Sequence, residues 1–224
     1  MPKKILHIIL AIVFLPVCFV AIYTLYEEIC SISVLSKSQL YFFYGCISYL
    51  VFHTIVFKPE KLYVFGHEMM HAIVAILSGG RVTSFNVSKS GGSVTTTKSN
   101  ILISLAPYLF PFYTILVSIA YFILLHVKNA FLVSLFLNRP FLFVLGLTLT
   151  FHIVLTIDVL KIRQTDLLGA GYIFSIELIF FINILIIAFI FSILFKNIRF
   201  LSFLNNFILS TKQAYIDIFK QLFL

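Results

Sequence analysis

The sequence predicts an all-α polytopic membrane protein of about six transmembrane helices, with a small β-hairpin at the membrane surface. Three observations predict it. Of the 224 residues, 61% are hydrophobic and only 11% are charged, whereas a soluble domain carries roughly 25% charged residues. Apolar runs at 5–25, 39–57, 62–79, 101–126, 140–160 and 172–195 approach the roughly 20 residues that cross a bilayer. A single long polar stretch, 80–100, lies between the third and fourth runs and is rich in Thr, Val and Ser.

The first run follows Lys3 and Lys4. It is long for the apolar core of a leader and no A-x-A site follows, so it is expected as a retained span. The third run is the least secure on hydropathy, because "YVFGHEMMHAIVAILSGG" places His67, Glu68 and His71 within five residues. In the polar stretch, "VTSFNV" and "SVTTT" flank Ser88 to Gly92, where two glycines can supply positive φ angles. That pattern predicts a hairpin, with a plain loop as the alternative. The fourth run holds Pro107 and Pro111, which predict kinks. The tail, 196–224, mixes Lys196, Arg199, Lys212 and Lys220 with Phe and Leu. It reads either as an interfacial amphipathic helix or as a tail packed on the bundle. No internal repeat is evident, and residues 1–224 read as one integral-membrane domain.

The net charge of +8 does not point to nucleic acid. The basic residues fall in ones and twos between apolar runs, as in loops at the surface of a lipid bilayer. Cys18, Cys30 and Cys46 show no C-x-x-C spacing, which argues against a disulfide framework or a thiolate metal site.

"HEMMH", residues 67–71, is H-E-x-x-H. On a helix, positions i and i+4 share a face, so His67 and His71 can grip one metal ion. Glu68 is turned by about 100° from His67, beside the ion rather than on it. There it can take a proton from a metal-activated water and deliver it to a leaving amine. Zinc suits such a site, because it accepts nitrogen and oxygen ligands and keeps a position open for water. Charged side chains at the centre of a membrane helix cost about 2.5–3.5 kcal/mol each on insertion scales, so their presence there signals function. Neutral imidazoles hydrogen-bonded to neighbouring helices are the alternative.

"FGHEMMHAIVAILSGGRVTSFNV" resembles the site-2 protease family of intramembrane zinc metalloproteases, in its compact bacterial form. In that family an H-E-x-x-H helix is followed by a short surface hairpin and a second core helix. Gly79 and Gly80 match the family's small residues before the first strand, and "SLAPYLFP", 104–111, resembles the small-residue and proline stretch of the second core helix. The resemblance is good over 62–126 and weak elsewhere. It implies one zinc ion per chain, and hydrolysis of peptide bonds in or near the transmembrane segments of membrane-protein or membrane-anchored peptide substrates. It also implies a bacterial plasma membrane as the location. The hairpin would hold the unwound substrate by strand addition, with Thr83, Phe85, Val87 and Val94 to Thr97 as its edges.

A catalytic zinc usually has three protein ligands. The family supplies the third as an aspartate in an L-D-G or N-P-D-G pattern, which this chain lacks. The resemblance favours Asp166, in "QTDLLGAGY", as the third ligand beside His67 and His71. Depth argues otherwise. If the third and fifth spans run parallel, His67 and His71 lie roughly 9–15 Å from Lys61, His152 about 20 Å from Arg139 and Asp158 about 28 Å, with Asp166 beyond the far end. On depth alone His152 is the better partner and Asp158 the second. Asn183, in the sixth run, is a candidate to hold a substrate backbone or to bond a neighbouring helix. The expected function is a zinc-dependent intramembrane endopeptidase. A silent scaffold of the same fold and a membrane metal transporter are the alternatives.

Overall fold

The computed structural model describes residues 2–56, 58–88, 91–127, 130–162 and 164–224. In chain order the elements are α1 (Pro2–Cys30), α2 (Lys37–Ile55), α3 (Glu60–Leu77), β1 (Val82–Ser88), β2 (Gly91–Thr96), α4 (Ile101–Leu109), α5 (Phe112–Val127), α6 (Ala130–Leu160), a 3₁₀ turn (Thr165–Leu168), α7 (Tyr172–Leu194) and α8 (Phe200–Phe223). The chain is a helical membrane protein with one small antiparallel sheet. Its contacts divide it into two compact units, residues 1–34 with 167–224, and residues 35–166.

The span pattern differs from six separate crossings. Among the described residues, three helices are long and apolar enough to cross a membrane alone: Lys4–Cys30, Leu137–Leu160 and Tyr172–Leu194. Two bent pairs, α2 with α3 and α4 with α5, raise the number to five if each counts as one span. The expected run 101–126 is broken, with α4 and α5 meeting at 72°. Pro111 disfavours the helical conformation of the residue before it, and Phe110 is extended at φ −117° and ψ 122°. Pro107, by contrast, stays inside α4. The fifth run is longer than expected, because α6 begins at Ala130.

In the unit 35–166, α2 and α6 form the most closely packed pair. Gly45 lies against the backbone of Phe143 and Leu147, and Gly146 against that of Phe42. A Cβ at either position would strike backbone, so the two glycines let the helices approach at main-chain distance. Further along, Tyr49 meets Phe151 with ring centroids 5.4 Å apart, and His53 reaches Asp158 at 3.2 Å. Residue numbers rise together along both helices, so α2 and α6 run parallel. A capping box opens α2: the Ser36 hydroxyl accepts from the Gln39 amide, and the Gln39 side chain accepts from the Ser36 amide.

Helix α3 ends in a Schellman motif. Gly79 has φ 75°, its amide donates to the Ile76 carbonyl, and the Gly80 amide donates to that of Ala75. The chain then enters β1, which pairs with β2 in a register running from Val82↔Thr96 to Ser88↔Gly91, with an irregularity between Val82 and Ser84. Ser88 and Gly91 are thus strand ends. The expected turn falls on Lys89 and Ser90, which lie outside the described residues.

In the other unit, α1 packs on α7 and α8 through Ala21, Leu25, Ile184, Ala188 and Phe203. The tail is therefore a helix whose first turn is anchored in a core. Asn183 lies on α7 and its amide donates to the Ile179 carbonyl one turn earlier.

Candidate metal centre

His67 and His71 lie one turn apart on α3, with ring centroids 4.9 Å apart. Asp166 comes from the 3₁₀ turn after α6. Its Oδ2 lies 3.6 Å from His67 Nε2 and 3.7 Å from His71 Nε2. The expectation from depth fails, for a topological reason. With α2 and α6 parallel, and α2 joined to α3 by a sharp bend, the end of α6 meets the beginning of α3. Asp158 fastens that junction. Its Oδ2 accepts from Lys58 Nζ at 2.6 Å, two residues before α3, and its Oδ1 from Lys161 Nζ at 2.7 Å. From there the chain needs only a short connection to carry Asp166 to the third and fourth turns of α3. Asp158 is thus engaged by ion pairs with Lys58 and Lys161 and by a hydrogen bond with His53. His152 is buried beside His67, in a small cavity that both residues line. Among the described residues, one group of three His, Cys, Asp or Glu side chains could hold a metal: His67, His71 and Asp166, whose ligand atoms all lie within 4.8 Å of one another.

The donor set suits zinc in chemistry and in spacing. Two nitrogens and a carboxylate oxygen are a known zinc combination, and ligands held tetrahedrally at about 2.0–2.2 Å lie roughly 3.3–3.6 Å apart. The ring of His71 is fixed by a hydrogen bond between Nδ1 and the Ile103 carbonyl at 2.7 Å. Since a carbonyl only accepts, Nδ1 carries a proton, and Nε2 is the ring nitrogen that faces Asp166. That carbonyl is free for a reason written in the sequence. In a regular helix it would accept from the amide of residue 107, but Pro107 has none.

Asp166 is itself held. The Tyr108 hydroxyl, on a fully buried side chain, donates to Oδ2 at 3.0 Å. The Tyr108 ring also packs edge-on against His67, centroids 5.0 Å apart. Burial alone would raise the Asp166 carboxyl, but the facing imidazoles and the Tyr108 hydroxyl outweigh it and hold the group below the usual carboxylate range. Asp166 is therefore an anion at neutral pH, the form in which a carboxylate can bind a metal.

Glu68 is buried on the same helix. Strand β2 passes directly over it. A Cβ at Gly92 would lie 2.5 Å from Glu68 Cγ and 2.9 Å from Glu68 Oε1, so any side chain there would force the strand or Glu68 to move. Val94, on the same strand, lines the cavity that Glu68 faces. Together these groups line an open cavity of about 390 Å³, walled by α3, β2, the start of α4 and the 3₁₀ turn. A larger cavity, of about 690 Å³, lies between α2, the start of α3 and α6 and is lined by none of these three side chains.

Sequence reading alone passed over Tyr108, the Ile103 carbonyl, Gly92 and Val94. The only signal for the first two was the proline-bearing run "SLAPYLFP". Asn100, at the head of the fourth run, caps α4 by accepting from the Ile103 amide at 2.8 Å.

The family model for Peptidase M50B-like proteins matches residues 41–211, well over half of the chain. The chain belongs to this site-2 protease family. No curated protein and no solved structure matches it.

Proposed function

We propose that this protein is an intramembrane zinc endopeptidase. In this reading His67, His71 and Asp166 hold one zinc ion and Glu68 moves the proton. The observation that carries the reading is the convergence of those three side chains from α3 and a distant turn, with Glu68 facing the same cavity. Zinc, when bound, supplies Lewis acidity that makes a water nucleophilic at neutral pH and polarises the scissile carbonyl. Glu68 accepts the proton released as that water adds to the carbonyl carbon. It returns the proton to the amine nitrogen as the C–N bond breaks, so that a carboxylic acid and an amine leave. Strand β2 lies over Glu68, which places its edge where an unwound substrate strand can add by main-chain hydrogen bonds. The substrates are membrane-spanning or membrane-anchored polypeptides, met in a bacterial plasma membrane.

The test compares new protein termini in membranes from cells expressing the wild type or Glu68→Gln. Termini within transmembrane segments that form with the wild type and vanish with Glu68→Gln are the expected result. Identical terminal profiles, with both proteins present at equal levels, would favour a silent scaffold.

A further inference from the structure

We propose that His152 is a positioning residue of the metal centre, and that it acts on His67 through a single buried water. The inference rests on reading His67, His71 and Asp166 as a zinc site. The two histidines of that site are supported differently. His71 has its Nδ1 fixed by the Ile103 carbonyl. His67 Nε2 faces Asp166, while its Nδ1 is buried and, among the described residues, has no hydrogen-bond partner. A metal-ligating imidazole almost always donates its second ring N–H to a carboxylate, a carbonyl or water, and buried polar atoms without partners are rare.

His67 borders a second cavity besides the one that holds Asp166. It has a volume of about 20 Å³, and Tyr63, Gly66, Pro107, Phe151 and His152 are among its walls. A water needs roughly 10–15 Å³ and two to four polar partners, so the space takes one water and no more. Its polar walls supply the partners. His152 is 6% exposed and carries a ring nitrogen able to accept. The Tyr63 hydroxyl is buried and belongs to a residue that lines the same space. The water accepts from His67 Nδ1–H and donates to His152. The bond sets the tautomer of His67, so that the Nε2 lone pair points at the ion. His152 thus sits behind the ligand rather than on the metal.

The experiment measures zinc affinity of the detergent-purified full chain by chelator competition, for the wild type, His152→Leu, His152→Gln and Tyr63→Phe. The visible spectrum of each cobalt-substituted protein is recorded alongside. The expected result is that His152→Leu weakens zinc by about 10- to 100-fold, while His152→Gln, whose amide oxygen can accept the same bond, recovers most of that loss. The near-isosteric Tyr63→Phe gives a smaller loss and covers the case in which His152→Leu does not fold. All cobalt spectra keep the wild-type band shape, because the ligand set is unchanged. Equal zinc affinity in all four proteins would overturn the proposal. So would a changed cobalt spectrum in the His152 variants, which would make His152 itself a ligand. A wild type that binds no zinc would overturn the metal centre as well, whereas tight binding indifferent to His152 and Tyr63 overturns this proposal alone.

Discussion

Tyr108 sits in an apolar run and carries no sequence signature, yet its hydroxyl is what orients the Asp166 carboxylate. Tyr108→Phe removes one hydrogen bond and keeps the ring against His67, so zinc affinity is expected to fall about 10-fold or more, read by chelator competition. Unchanged affinity would mean that the turn alone places Asp166. Gly92 is constrained from the other side. Gly92→Ala sets a methyl group against Glu68 and Val64, which pushes β2 outward. Hydrogen exchange at the Val94 amide is expected to quicken in that variant, and exchange at the wild-type rate would refute the close approach. His67, Glu68 and His71 were legible because one helix places them by its own period. Gly92 was legible only as a turn glycine, since its contact is with Glu68, on another element, and is set by packing rather than by pattern.

Helices α3 and α4 show how local chemistry builds the site. In α4, Pro107 costs a helix hydrogen bond and leaves the Ile103 carbonyl to His71. Pro107→Ala restores the amide, which competes with the imidazole for that oxygen. Zinc is then expected to bind more weakly although α4 itself becomes more regular, a pairing that calorimetry and circular dichroism together can check. A stronger zinc site after that change would contradict the role given to the freed carbonyl. Gly79 ends α3 at φ 75°, where a side chain costs about 1–2 kcal/mol. Gly79→Ala is accordingly expected to lower the unfolding temperature. The hairpin was legible from β-branched residues around paired glycines. The break at Pro111 was foreseen as a kink, but its 72° size depends on how α5 packs on α6, which no local rule supplies.

At the scale of the whole chain, the proposed third ligand was the hard part. Counting spans as alternating crossings puts the third and fifth runs parallel and sends Asp166 away from the histidines. The structure has α2 parallel to α6, because α2 and α3 form a bent pair and two glycines let α2 and α6 meet at main-chain distance. That parity cannot be read from hydropathy, which reports length and not direction. Gly146→Leu would overpack this contact, with a typical cost of about 1–3 kcal/mol or more, and is expected to lower both thermal stability and zinc content. Resemblance pointed to Asp166 without saying how it arrives; the Asp158 cluster with Lys58 and Lys161 supplies the route.

The most direct measurement is zinc per chain in detergent-purified wild type beside His67→Ala, Asp158→Ala and Asp166→Ala. The geometry predicts about one zinc in the wild type, lost in His67→Ala and Asp166→Ala and retained in Asp158→Ala. Zinc retained without Asp166, or a wild type that takes up none when it is supplied, would contradict the metal centre described above.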